Sequence, residues 1–373
     1  MEISVNEFQV RQFKTSSGGQ IFQIPMLEFP GLLGYAYLVL LEDDSGAYRV
    51  LIDSGSGFGE SNQQLEVGLQ TVSGLIGEPL GFPDLTHILI THGHIDHFGG
   101  LNYVRPRTPA LIGVHELDLR NLTNYEERLI VAARRLDEFL HEAGVSAARR
   151  LQLIELYKIT KSLLRSVRVD FTYEAVGMRL GPFEMLHVPG HCAGHVVIRL
   201  HDVLFSGDHV LQDISPHQSP EHLTLSTGLD HYLKSLALLR PWAQGIRLTL
   251  GGHREPITDL NGRIDAIQQV HAERLETVLG LLEQPHTVLE ISQALFGEAH
   301  GYNALLALEE AGAHVEYLYQ RGQLGIDNLD QLENKPEPAP IRYRCLPRYI
   351  DKREVEPGID NCPDSLYDRQ RGV

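Results

Sequence analysis

The segment Thr91-His-Gly-His-Ile-Asp-His97 sets three histidines and an aspartate directly behind the apolar run His87-Ile-Leu-Ile-Thr91. Imidazole nitrogens and a carboxylate oxygen in such a cluster are ligands for zinc, and equally for iron or manganese. Packing explains the cluster poorly, because burying several such groups without partners costs several kcal/mol. A divalent ion removes that cost; a His-rich solvated loop is the bland alternative. A second chemical signal lies further on. Lys158, Lys161, Arg165 and Arg168 are spaced three, four and three apart, which on a helix puts them on one face. Between Ala147 and Arg168 six basic residues stand against one acid, Glu155. If turned toward a metal site, that face would recognise an anionic small molecule such as a phosphate-bearing thioester. A solvated face or a dimer contact is the competing reading.

These residues need strands and helices to position them. Tyr37–Leu41 and Tyr48–Asp53 read as buried strands around an Asp-Asp-Ser-Gly-Ala turn, with a helix around Asn62–Ile76 behind them. His87–Thr91 and Leu111–Val114 read as further short strands. From about residue 116 to 170 the period turns helical: Leu129, Ala133, Leu136 and Leu140 share one face, and Leu153, Leu156, Leu163 and Val167 another. Strand patterns resume at Phe183–Val188, Val196–Leu200, Val203–Ser206 and Arg247–Leu250. The fold class is therefore α/β, a layered core over residues 1–262 interrupted by a helical cap. Residues 263–333 read as a small helical unit. Ile264, Ile267, Val270, Val278 and Leu282 form one stripe, Thr287-Val-Leu-Glu290 is a capping box, and Asn303–Gln320 is a third helix weakened by Gly312. Gly322 and Gly325 flank a turn or wing, and residues 334–373 read as a loosely packed, irregular tail.

The His-x-His-x-Asp-His pattern after a strand resembles the metallo-β-lactamase superfamily over roughly Gly34–Pro256. The resemblance implies an αββα sandwich with a dinuclear site. It assigns His92 and His94 to one metal, Asp96 and His97 to the other, His191 of Val188-Pro-Gly-His191 to the first, Asp208 of Phe205-Ser-Gly-Asp208 as a bridge, and His253 of Leu250-Gly-Gly-His253 as the last ligand. Asp96 would also orient the attacking water or accept its proton. Asp53 matches a family aspartate that supports the metal histidines, and His195 is a second supporting candidate. His209, His217 and His222 fall where relatives shape the pocket mouth, so His217 joins the basic cap residues as a substrate-binding candidate. Cys192 reads as a small buried residue rather than a nucleophile. Redox relatives with a di-iron centre usually carry glutamate at the second signature position; His94 there favours hydrolysis. The C-terminal helices, with Asp230–Leu236 and Gly207–Pro216, resemble a branch bearing a small winged-helix module, some of whose members cleave RNA.

Composition narrows the choice. The 373 residues carry 32 basic and 49 acidic side chains, a net charge of −17. From Asp265 to Asp330 eleven acids face two bases, Arg274 and Arg321, so a nucleic-acid role for the helical unit is disfavoured. No run is apolar enough for a membrane helix. Three cysteines (Cys192, Cys345, Cys362) at irregular spacing argue against a disulfide framework, and a cytoplasmic location is the simplest expectation. The expected function is a hydrolase with two divalent ions, zinc first and iron or manganese next, acting on a thioester, lactone or related acyl compound. The unit at the C-terminus would pack or dimerise. A metal-dependent ribonuclease of the same fold is the runner-up, and a binding protein with a vestigial site the third reading.

Overall fold

The computed structural model describes residues 9–44, 46–334 and 339–346. One sheet runs β1 (Arg11–Lys14), β2 (Gln20–Phe29), β3 (Leu32–Asp43), β4 (Gly46–Ile52), β5 (His87–Leu89), β6 (Leu111–Val114) and β7 (Phe171–Thr172), in that spatial order. Its first four strands are an antiparallel meander and the rest are parallel. The second sheet holds β8 (Arg179–Leu180), β9 (Phe183–His187), β10 (Val196–Leu200), β11 (Val203–Gly207) and β12 (Leu248–Gly251), with only the β11–β12 pairing parallel.

Strand alternation sorts the core into layers. Phe22, Ile24, Met26, Leu38 and Leu51 face α1 (Ser61–Ile76), which returns Leu65, Leu69 and Val72 at helical spacing. Their neighbours Ile21, Val39, Val50 and Ile52 face the second sheet and meet Phe183, Val196, Ile198, Phe205 and Leu250. That sheet's outer side, with Val197 and Leu204, is covered by Tyr232, Leu236, Ile264 and Ile267 of the two helices behind it. The order is helix, sheet, sheet, helix, as expected.

Strands β1 and β2 have no counterpart in the sequence reading. Pro25 inside Gln20–Phe29 argues against a strand, since proline cannot donate to a ladder. The structure tolerates it because β1 pairs with residues 20–23 only, leaving that side of β2 open at Pro25.

After the short turns α2 (Ile95–Phe98) and α3 (Leu101–Val104), the cap comprises α4 (Glu116–Thr123), α5 (Tyr125–Glu142) and α6 (Ala147–Lys161). Helix α7 (Leu229–Trp242) lies behind the second sheet. It is followed by α8 (Leu260–Leu281), α9 (Val288–Phe296), α10 (Tyr302–Gln320) and α11 (Leu329–Asn334). Thr287 and Glu290 form the expected capping box. Gly312 does not interrupt α10: a Cβ there would come within 2.9 Å of the Phe139 ring and of Pro220, so it marks close packing against the cap.

The cap and the C-terminal helices share a core. Leu136, Phe139, Leu140 and Leu153 share one cluster with Val278, Leu282, Val288, Ile291, Leu305 and Leu308. The tail is not irregular where it is described: β14 (Tyr343–Cys345) pairs antiparallel with β13 (Leu324–Ile326), and Cys345 N–H donates to the Leu282 carbonyl at 2.8 Å. Its low periodicity hid this because the strand is three residues long and held by distant partners. The rest of the tail, with Cys362, lies outside the described residues. Among them, no helix is long and apolar enough to cross a membrane.

Candidate metal centre

Parallel pairing brings the site together. Strands β4, β5 and β6 run parallel, so Asp53, the 92–97 segment and His115 emerge at one rim. Strands β11 and β12 are also parallel and deliver Asp208 and His253 to the facing rim. Thr91 ties the two sheets, its carbonyl accepting from Val196 N–H at 2.8 Å.

The seven residues fall into two adjoining groups. His92, His94 and His191 form one; Asp96, His97, Asp208 and His253 form the other, and in each the ligand-type atoms lie within 4.8 Å of one another. Asp208 stands between them. Its Oδ2 is 3.8 Å from His191 Nε2 and 3.5 Å from His253 Nε2, and its Oδ1 is 3.5 Å from His97 Nε2. Asp96 Oδ2 is 3.3 Å from His253 Nε2. Most of these side chains are buried, whereas His94 and Asp96 are partly exposed and mark the open side.

The donor set fits divalent ions on two grounds. Each of four histidines has one ring nitrogen engaged from behind. His97 Nδ1 faces Asp53 Oδ2 at 2.8 Å, His191 Nδ1 the His217 carbonyl at 2.6 Å, His253 Nδ1 the Leu33 carbonyl at 2.7 Å, and His92 Nδ1 the Thr91 hydroxyl at 3.1 Å. That arrangement orients the opposite nitrogen toward an ion. Moreover, His97 Nε2, His191 Nε2 and Asp208 Oδ1 are buried without any hydrogen-bond partner. Orphaned buried polar atoms are rare, and here three converge on one spot. Electrostatics divide the groups. Burial and neighbouring imidazoles hold His92 and His94 well below the ordinary histidine range, leaving them neutral as ligation requires. Against the pull of burial, Asp208 and its neighbours raise His97 and His253 well above that range.

Asp53 sits where a support is needed. Its Oδ1 accepts from Thr91 N–H at 2.7 Å and its Oδ2 from the Thr91 hydroxyl at 2.8 Å, with a backbone φ of 60° that aspartate tolerates better than most residues. Asp53→Ala should weaken binding of the ion beside His97 by about 10–100-fold, read as the zinc concentration needed for half occupancy; unchanged affinity would contradict the assignment. His195 Nε2 accepts from Asp208 N–H at 3.1 Å, and its ring stacks on His92 at 4.5 Å. Gly252 has a purpose beyond the turn: a Cβ there would lie 2.4 Å from His97 Cε1 and 2.6 Å from Asp208 Oδ1.

Two residues near this centre carry no local sequence signal. Asp118 of α4 accepts Gly93 N–H at 2.8 Å and lies 3.3 Å from the Cys192 thiol, so it clamps the two ligand loops to each other. Burial pushes that thiol up, in keeping with Cys192 as packing rather than nucleophile. Glu28 takes Ser56 N–H at 2.6 Å and the Ser61 hydroxyl at 3.1 Å, bracing the loop behind Asp53. Burial pushes its carboxyl up to about 7.

The basic cap residues separate. Helix α6 ends at Lys161, so the four do not share a helical face. Asn102 accepts Arg165 N–H and donates to its carbonyl, both at 2.9 Å, which ties down the chain there outside any helix. The Arg165 guanidinium folds back on the Ser162 and Leu164 carbonyls, Arg168 leans on Asp170 at 3.5 Å, and Lys158 is exposed. Of the four, Lys161 acts electrostatically on a candidate ligand, His94. The His217 ring is occupied by Glu309 at 3.0 Å and Glu310 at 3.6 Å. A third ligand-type group, His271, Glu310 and His314, lies where α8 crosses α10. Most of its atoms already have partners: Arg274 reaches Glu310 at 2.7 Å, and His271 Nδ1 meets His314 Nε2 at 3.1 Å, while His271 Nε2 is buried without one.

Comparison with known proteins agrees with this geometry. The family model described as the metallo-beta-lactamase superfamily matches residues 30–280, and the chain belongs to that superfamily. Its buried His/Asp site makes it a metal-dependent hydrolase of that class. A metallo-beta-lactamase family protein from Thermus thermophilus is 25% identical, with a TM-score of 0.67 over 87% of this chain and 98% of that one. A beta-lactamase domain protein from Burkholderia ambifaria is 23% identical, with a TM-score of 0.66 over 90% of this chain and 94% of that one. A comparison with curated proteins gives no match.

Proposed function

We propose that the chain hydrolyses an ester-like small molecule, a thioester, lactone or related acyl compound, at a dinuclear centre. The observation that carries this reading is the pair of ligand groups joined through Asp208, with three orphaned atoms aimed inward and one open side at His94 and Asp96. His92, His94 and His191 would hold one ion, Asp96, His97 and His253 the other, and Asp208 both. Zinc is the expected metal, with iron or manganese also suited to these donors. When bound, two such ions acidify a water and polarise a carbonyl oxygen. The partly exposed Asp96 carboxylate would orient that water and take its proton. His195 and Asp53 keep Asp208 and His97 in register.

A ribonuclease of the same fold is the second reading. The resemblance of the C-terminal region to a winged-helix module favours it; α8, α9 and α10 precede the β13–β14 pair, although α11 stands between those two strands. The eleven acids against two bases over residues 265–330 oppose it. Metal-loaded protein should be assayed on a panel of thioesters, lactones and single-stranded RNA. Acyl turnover with intact RNA is expected; RNA cleavage without acyl turnover would reverse the order of the two readings.

A further inference from the structure

His191 is oriented by a loop, and that loop is held by the C-terminal helices. The His217 carbonyl lies 2.6 Å from His191 Nδ1. Residues 215–222, in the connection between β11 and α7, form no helix or strand of their own. No ladder fixes such a segment, so its backbone N–H groups need other acceptors.

Helix α10 supplies them. Gln218 N–H donates to Glu310 Oε2 at 2.7 Å, and Glu221 N–H donates to Glu316 Oε2 at 2.6 Å. The His217 ring is gripped by the same helix, its Nε2 3.0 Å from Glu309 and its Nδ1 3.6 Å from Glu310. The residue whose carbonyl faces the ligand is thus fixed by its own ring and by the N–H of its neighbour. Glu310 is buried, at 6% exposure, and its other oxygen meets Arg274 of α8 at 2.7 Å. A carboxylate so placed needs such partners to offset the loss of water. Glu309, Glu310 and Glu316 are three of the eleven acids between residues 265 and 330, and all three are turned on the loop. The acidity that opposes a nucleic-acid role therefore has, in part, an internal purpose.

We propose that Glu310 is a positioning residue for the metal centre. Acting through Gln218 N–H and the His217 carbonyl, it sets the orientation of the His191 imidazole, and so the affinity for the ion held by His92, His94 and His191. This rests on the dinuclear reading above and gives the C-terminal helices a task in it: they complete one ion site without contributing a ligand. The other group is braced from the first sheet instead, His97 by Asp53 at 2.8 Å and His253 by the Leu33 carbonyl at 2.7 Å. The effect of Glu310 is accordingly confined to one ion.

The test is a cobalt(II) titration of the metal-free full chain, followed by calorimetry and by the visible absorption of the bound ion. His94→Ala and Asp96→Ala mark which binding step belongs to which group. Glu310→Met removes the acceptor at similar size. It should weaken the ion at His92, His94 and His191 by about 10–100-fold, shift the absorption of that ion, and leave the other step unchanged. Glu310→Gln keeps an oxygen for Gln218 N–H and should recover most of the lost affinity. His217→Leu keeps the backbone carbonyl but loses the ring contacts, so a smaller loss at the same step is expected. Should Glu310→Met yield no folded protein, His217→Leu decides the matter by that loss or its absence. Equal weakening of both ions would overturn the proposal, because it would reduce Glu310 to a general packing role. So would undiminished affinity at the first step, or a loss that Glu310→Gln shares in full, which would credit the Arg274 pair rather than the loop. A wild type that takes up no cobalt fails before any variant is compared, and removes the metal reading and this proposal together.

Discussion

Asp208→Ala is expected to leave the protein with at most one bound ion per chain and to lower turnover by more than about 100-fold. The reasoning is geometric. Among the described residues, Asp208 is the one carboxylate within 4.0 Å of histidines of both groups, 3.8 Å from His191 and 3.5 Å from each of His97 and His253. Substituting a residue that merely supports a ligand costs about 10–100-fold, and removing the joint ligand should exceed that. The substitution also leaves His97 and His253 facing each other without the charge that balances them. Metal content measured with initial rates checks the prediction; two tightly held ions in the variant would show that Asp208 does not join the groups.

The second large effect concerns folding. A chain ending at residue 262 should fail to give a soluble, cooperatively melting protein. The truncation removes the partners of Leu136, Phe139, Leu140 and Leu153 in the cap. It also strips Ile264 and Ile267 from the outer side of the second sheet. Each fully buried side chain of this kind contributes roughly 1.5–3 kcal/mol, so losing several exceeds the roughly 5–15 kcal/mol that holds a typical protein folded. Gln218 N–H, 2.7 Å from Glu310, would lose its acceptor as well, loosening the loop whose His217 carbonyl orients His191. A soluble fragment with a sharp thermal transition would mean that the cap stands without the C-terminal helices.

These two cases mark what was legible in the sequence. The 92–97 segment could be read because its four ligand-type residues are neighbours in the chain, and no packing rule puts so many polar groups at a strand end. His191, Asp208 and His253 became readable only through the resemblance to the metallo-β-lactamase superfamily, whose ligand order they match; taken singly, each reads equally well as a core residue. Asp118 and Glu28 gave no such sign: each braces ligand loops distant in sequence, from a helix and a strand with no local peculiarity. The basic face failed for a related reason. Spacing of three and four assumes the helix continues, but it ends at Lys161, and Asn102, 63 residues upstream of Arg165, takes up that residue's backbone N–H instead. The shared core of cap and C-terminal helices was hidden because amphipathic stripes reveal which face is buried but not against what.

The most direct measurement is the number of metal ions bound per chain after equilibration with zinc, iron or manganese, taken together with thioester hydrolysis. Two ions per chain, with turnover that disappears on chelation and returns on reloading, is the predicted result. A protein that takes up no ion from any of the three would contradict the account, whatever activity it showed.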